Sequence, residues 1–301
     1  MRLVLLLFFL IYLPWSIQAQ TSTDSYKIYS VDRKKEIDLK TLIRDLRKAD
    51  VILFGEEHDD STTHDLQLQV FEGLHKIHKA NMLLSMEMFQ SDTQLVLDEY
   101  LAGLIKESNL KKDGRLWKNY EDYRPLIEYA RENGLYVLAA NAPDRYTNRV
   151  TRDGSESLNV LSDQAKSLLA PLPIDTLTGL YYENFTKLMG DEGHESMANL
   201  KIYQSQNLWD ATMAWRISQL LVNRPKGHVL HLNGRFHSDE KLGIYSQLAR
   251  YVPNLNIINI SSFEHEEFDD PDWSEISNLG DFIIITKKIT EKEAETEKEA
   301  E

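Results

Sequence analysis

Residues 51–60 read Val-Ile-Leu-Phe-Gly-Glu-Glu-His-Asp-Asp, an apolar run that stops at a glycine and gives way at once to acids and an imidazole. The apolar part is a buried strand by pattern. In an open α/β sheet, ligands sit in the crevice outside the carboxyl ends of the strands, so the polar cluster falls where a site belongs. Glu56 and His58 are two residues apart, and an extended backbone turns both side chains the same way. That pair suits a divalent metal or a proton relay. The competing role is helix capping, which fits Asp59, Asp60 and Ser61 better than Glu56 or His58. Glu57, Asp59 and Asp60 are therefore assigned to capping or surface.

Other strand ends repeat the arrangement. Residues 82–86 are apolar and run into Glu87. A carboxylate placed there needs a partner, because burying it alone is costly; His58, His237 and Arg235 are the candidates, and a structural ion pair is the alternative role. Residues 135–140 end in Asn141-Ala-Pro143, and residues 228–232 end in Asn233-Gly234 and lead to His237. In a parallel sheet these ends share one edge, which brings Glu56, His58, Glu87 and His237 together as candidate catalytic or metal-binding residues. His231 reads as a satisfied core histidine. His64, His75 and His78 fall on one helix and read as surface or packing, and His194 and His265 as surface. The chain has 14 tyrosines, and tyrosine can be an axial haem ligand, but amphipathic packing explains any single one. Neither a phosphate loop nor a nucleophile elbow is found.

These strands need helices between them. The apolar spacing predicts helices over 39–48, 62–78, 92–104, 123–133, 196–222 and 242–251, with further strands at 255–260 and 282–286. The stretch from about 145 to 195, broken by Pro171-Leu-Pro173 and Gly190-Asp-Glu-Gly193, reads as a helical insertion or lid. The expected fold is α/β, with a mainly parallel central sheet and helices on both faces. One domain is expected over 20–290, followed by a charged tail at 291–301 that reads as disordered.

The formal net charge is −14, which disfavours nucleic acid and anionic membranes as partners. Arg2, the apolar run 3–13 and the small residue Ala19 have the layout of a secretory leader cleaved near Ala19, which makes an exported, periplasmic protein the expectation. With no cysteine, disulfides, thiolate metal sites and a lipid-bearing cysteine are excluded.

Taken together, the motifs resemble the ChaN-like haem-binding family of the Tiki superfamily. Gly55-Glu56-x-His58-Asp59 resembles its opening motif. Glu87-Met-Phe89 with Gln94 and Asp98-x-Tyr-Leu-x-Gly103 is similar to its second block. Tyr123-Arg-Pro-Leu-Ile-Glu-Tyr-Ala130 and Ala140-Asn-Ala-Pro143 are similar to the third, Gln206-Asn-Leu-Trp-Asp210 with Met213-Ala214 to its long-helix motif, and Gly234-x-x-His237 to its last. The likeness runs in order from about 51 to 248. It implies haem as ligand, a role beside outer-membrane haem or iron uptake systems, and a homodimer with haem between subunits. The wider superfamily, with Tiki-type peptidases and erythromycin-esterase-like proteins, implies the alternative of a metal-dependent hydrolase, with Glu56, His58, Glu87 and His237 at its site. Two departures stand out: many relatives are lipoproteins, and the last block commonly ends Gly-His, whereas Phe236 precedes His237 here.

Overall fold

A computed structural model describes residues 25–190 and 197–288. The leader, His194 and the charged tail lie outside the described residues. No helix among the described residues is long and apolar enough to cross a membrane.

Eight strands form one sheet: β1 (Tyr26–Ser30), β2 (Lys35–Ile37), β3 (Val51–Glu56), β4 (Met82–Gln90), β5 (Tyr136–Asn141), β6 (His228–Gly234), β7 (Ile257–Glu264) and β8 (Phe282–Thr286), in the order β2-β1-β8-β7-β3-β6-β4-β5. The pairings from β8 to β5 are parallel. β1 runs antiparallel to both β2 and β8. The sheet is therefore mixed and mostly parallel, and it carries an antiparallel edge that the apolar runs do not predict. β2 is only Lys-Glu-Ile; it is a strand because β1 presents an open ladder beside it, not because its residues favour one.

The helices are α1 (Leu39–Leu46), α2 (Ser61–His78), α3 (Gln94–Leu101), α4 (Glu107–Asp113), α5 (Tyr120–Glu132), α6 (Asp144–Asp153), α7 (Asp163–Lys166), α8 (Leu180–Leu188), α9 (Met197–Asn223), α10 (Gly243–Tyr251) and α11 (Trp273–Ile276). Strand parity divides the core in two. Ile52 and Phe54 of β3, with Leu84 and Met86 of β4, pack against α2, α3 and α5. Val51, Leu53 and Leu83 point the other way, onto Met213, Ile217 and Ile244 of α9 and α10. Full burial of each such side chain contributes about 1.5–3 kcal/mol, so β3, buried along its whole length, is held in one register from both sides.

Within the stretch expected as an insertion, α6, α7 and α8 are helices, while residues 167–179 carry neither helix nor strand. α6 and a 3-10 segment, Ser155–Val160, pack through Val150 and Leu158 against Leu208 of α9. α8 packs Tyr181 and Phe185 against Tyr203 of α9 and Phe236.

Candidate functional site

The carboxyl ends of β3 and β6 open into a cleft of about 720 Å³, lined among others by Glu56, His58, Asn119, Leu188, Gly234, Phe236 and His237. Of the expected site residues, Glu56, His58 and His237 line this cleft, while Glu87 lies behind His237, buried. The residues form two networks, because Glu56 follows the parity of Phe54 and Glu87 that of Leu83 and Ser85.

On the α2/α5 face, Glu56 is buried and accepts from three donors, with a fourth polar neighbour close by. Its Oε1 receives His58 Nδ1 at 2.9 Å and the Tyr123 hydroxyl at 2.5 Å. Its Oε2 receives Gln67 Nε2 at 2.5 Å and has His64 Nε2 at 3.5 Å, an ion-pair contact and not a well-formed hydrogen bond. Burial opposes ionisation of Glu56, but the imidazoles and Tyr123 outweigh it and hold the carboxyl below its usual range. Burial likewise lowers His58, and contact with Glu56 and the field of Glu87 reverse this, so its imidazole is raised. Asn119 donates to the His58 carbonyl at 2.8 Å and fixes the turn. Trp117 meets the His58 ring edge-on at 4.9 Å.

On the α9 face, Glu87 accepts the Gly234 backbone N–H at 2.8 Å and lies 3.4 Å from His237 Nε2. His237 Nδ1 donates to Asp210 at 2.6 Å, and Gln206 stands 3.0 Å from the same nitrogen. Asp210 also accepts from the buried Tyr181 hydroxyl at 2.5 Å. Burial works against both charges of the inner pair, yet the two carboxylates push His237 up to about 10, and His237 pulls Glu87 down to about 2. Burial raises the Asp210 carboxyl. Glu87 thus has the His237 partner expected for it, in the form of an ion pair.

The two networks meet at Gly234. A Cβ there would lie 2.7 Å from His58 Nε2, a clash, and 3.7 Å from the His237 ring, an ordinary contact, so the glycine is what lets the His58 imidazole close on the turn. The turn after Gly234, left open because Phe236 precedes His237, is a 3-10 segment, Arg235–His237.

The capping expectation is met by Asp60, whose carboxylate accepts from Thr63 N at 3.1 Å and from the Thr286 hydroxyl at 2.6 Å. Asp59 is exposed, and Glu57 accepts from Glu264 N at 3.1 Å. His231 is fully buried and bonded to Ser85 Oγ at 2.9 Å through Nδ1, but its Nε2 has no partner, so it is only half satisfied. Among the helix histidines, His64 is the one turned inward: α2 aims it at Glu56, and its ring meets Tyr123 edge-on at 4.7 Å. The sequence reading also gave no role to Gln67, Tyr123, Asp210 and Tyr181. Asp210 and Tyr123 did lie inside family-like blocks, which is the signal that pointed to them. Among the described residues no group of three or more His, Asp or Glu side chains is placed to hold a metal ion; each carboxylate is committed to imidazole, amide or hydroxyl donors.

Comparison with known proteins fits this architecture. ChaN of Campylobacter jejuni, whose structure is described as binding haem cofacially, superposes with a TM-score of 0.68 at 22% identity over 88% of this chain and 98% of that one. This likeness shows the fold. An erythromycin esterase aligns with a TM-score of 0.48 at 14% identity over 91% of this chain and 86% of that one, too distant to carry an argument. Protein RETICULATA-RELATED 5, chloroplastic, of Arabidopsis thaliana is 28% identical over 141 residues, 44% of this chain; the match spans 19% of that protein's length. The family model for haem-binding uptake, Tiki superfamily, ChaN matches residues 42–248, and the chain belongs to that family.

Proposed function

We propose that this protein is an exported haem-binding protein associated with bacterial iron or haem uptake, and that His58 is the residue it offers to haem iron. One observation carries the assignment. His58 is the cleft imidazole with its Nδ1 held by a buried carboxylate, while no described residue hydrogen-bonds its Nε2. A carboxylate on one ring nitrogen fixes the tautomer and raises the basicity of the other, which is how ligating histidines are oriented. His237 has carboxylates on both nitrogens and offers none.

The surroundings fit a flat apolar ligand with acidic substituents. Leu188 and Phe236 line the cleft and Trp117 stands against His58; of the lining cations, Arg235 is paired with Asp239 at 2.9 Å, which leaves Lys118 to meet an acidic substituent. Bound haem would supply the iron; the chain supplies an imidazole, apolar walls and a cation for a carboxylate. Export to the periplasm, an outer-membrane uptake partner and a homodimer are proposed on the leader and on family membership.

The test is a haemin titration of the mature protein, followed in the Soret region. A saturable, shifted band at a defined ratio is expected; a featureless, unsaturable response overturns the reading. A second reading, hydrolysis, is favoured by an imidazole set between two carboxylates at the cleft floor. It requires turnover in a panel of esters and peptides that disappears in Glu87→Gln, and a panel without turnover removes it.

A further inference from the structure

We propose that α8 is a movable wall of the cleft and that the Tyr181 hydroxyl latches it to the buried Asp210–His237 network; this rests on the cleft being the haem site. Four observations converge. First, α8 belongs to both places at once. Leu188 at its carboxyl end lines the cleft, while Tyr181 at its amino end, on the same helical face, donates to Asp210 at 2.5 Å. Second, the hold is one small aromatic cluster. Tyr181 stacks on Phe236 at 5.3 Å and Phe185 is tilted against it at 6.4 Å between ring centroids, both meet Tyr203 of α9 at 5.9 and 4.9 Å, and Asn184 donates to Glu240. No sheet ladder secures the helix. Third, α8 lies between two glycines in the left-handed region, Gly179 at φ 73° and Gly190 at φ 70°, each with nothing within 4 Å of where a Cβ would be. Such positions permit a rigid helix to swing without strain at its ends. Fourth, Tyr181 is the only described residue of α8 whose side chain hydrogen-bonds to a fully buried carboxylate. Breaking that bond leaves Asp210 short of a donor, which is what makes the closed position the resting one.

Tyr181 is thus a positioning residue. It sets Asp210, which orients His237, and it keeps Leu188 over the cleft. A ligand that must pass Leu188 has to strain this bond, so access and the state of the network are linked.

The experiment is hydrogen exchange on the full mature chain, comparing wild type, Tyr181→Phe and Tyr182→Phe. Tyr182 lies on the same helix and packs on Tyr203, so it controls for the change of residue type. Tyr181→Phe is expected to raise opening of residues 180–188 on the order of tenfold to a hundredfold, with α9 unchanged, while Tyr182→Phe stays near wild type. Haemin should then leave faster from Tyr181→Phe with the Soret maximum unmoved. Unchanged exchange over 180–188, or a rise spread evenly over α9 and the sheet, overturns the latch. If wild type takes up no haemin, the haem reading fails by itself, and the exchange comparison still decides the latch.

Discussion

Two imidazole–carboxylate pairs stand at one edge of the sheet, and they differ in what they leave free. Glu56 gathers many donors around one carboxylate and spends a single nitrogen of His58, whose side chain is 42% exposed. Glu87 and Asp210 spend both nitrogens of His237, whose side chain is 11% exposed. The same residue types yield an imidazole with one nitrogen free of a hydrogen-bond partner among the described residues in the first case and a sealed ion pair in the second. What decides is how many carboxylates flank the imidazole and how deep it sits.

The largest effect expected from this difference is on stability. Glu87→Ala removes one partner of the sealed pair and leaves the Gly234 N–H without its acceptor, so it should cost about 3–5 kcal/mol in urea unfolding. Glu56→Gln should cost less, about 1–3 kcal/mol, because the amide oxygen still accepts one of the donors. Its larger effect is on haemin affinity, which should fall about 10–100-fold as His58 loses its orienting carboxylate.

The pH dependence separates the pairs further. Glu87 is depressed from 4.5 to about 2, so its stabilisation is present above pH 4.5 and is lost as pH falls toward 2. His237 is raised from 6.5 to about 10, so its stabilisation is full below pH 6.5 and is lost as pH rises toward 10. The sealed pair contributes most between pH 4.5 and 6.5. Unfolding of Glu87→Gln measured as pH falls from 4.5 toward 2 should show a flattened acid limb; an unchanged one contradicts the ion pair. The smallest effect on stability belongs to His58→Ala, below about 1 kcal/mol, since its half-open ring makes one hydrogen bond. A loss as large as that of Glu87→Ala would erase the contrast.

Much of this arrangement is legible before any coordinates. The apolar runs of β3, β4 and β6 mark fully buried strands, and the polar residues that stop them mark the site edge. What parity cannot supply is which face each strand turns to a given helix. Glu56 and Glu87 therefore read as one converging set, whereas β6 stands between their strands and they turn to opposite sides. His64 and Gln67 lie on α2 beside residues that pack the core, and only the docking of α2 on β3 aims them at Glu56. Asp210 and Tyr181 meet through the packing of α8 on α9, a contact with no local signature. β2 is invisible for a different reason, since two of its three residues are charged and pairing alone makes it a strand.

The most direct test of the central claim is the Soret spectrum of haemin-loaded His58→Ala beside His237→Gln, each with and without added imidazole. His58→Ala is expected to lose the shifted band and recover it with free imidazole, while His237→Gln keeps it throughout. A band intact in His58→Ala and lost in His237→Gln would contradict the assignment of the presented ligand.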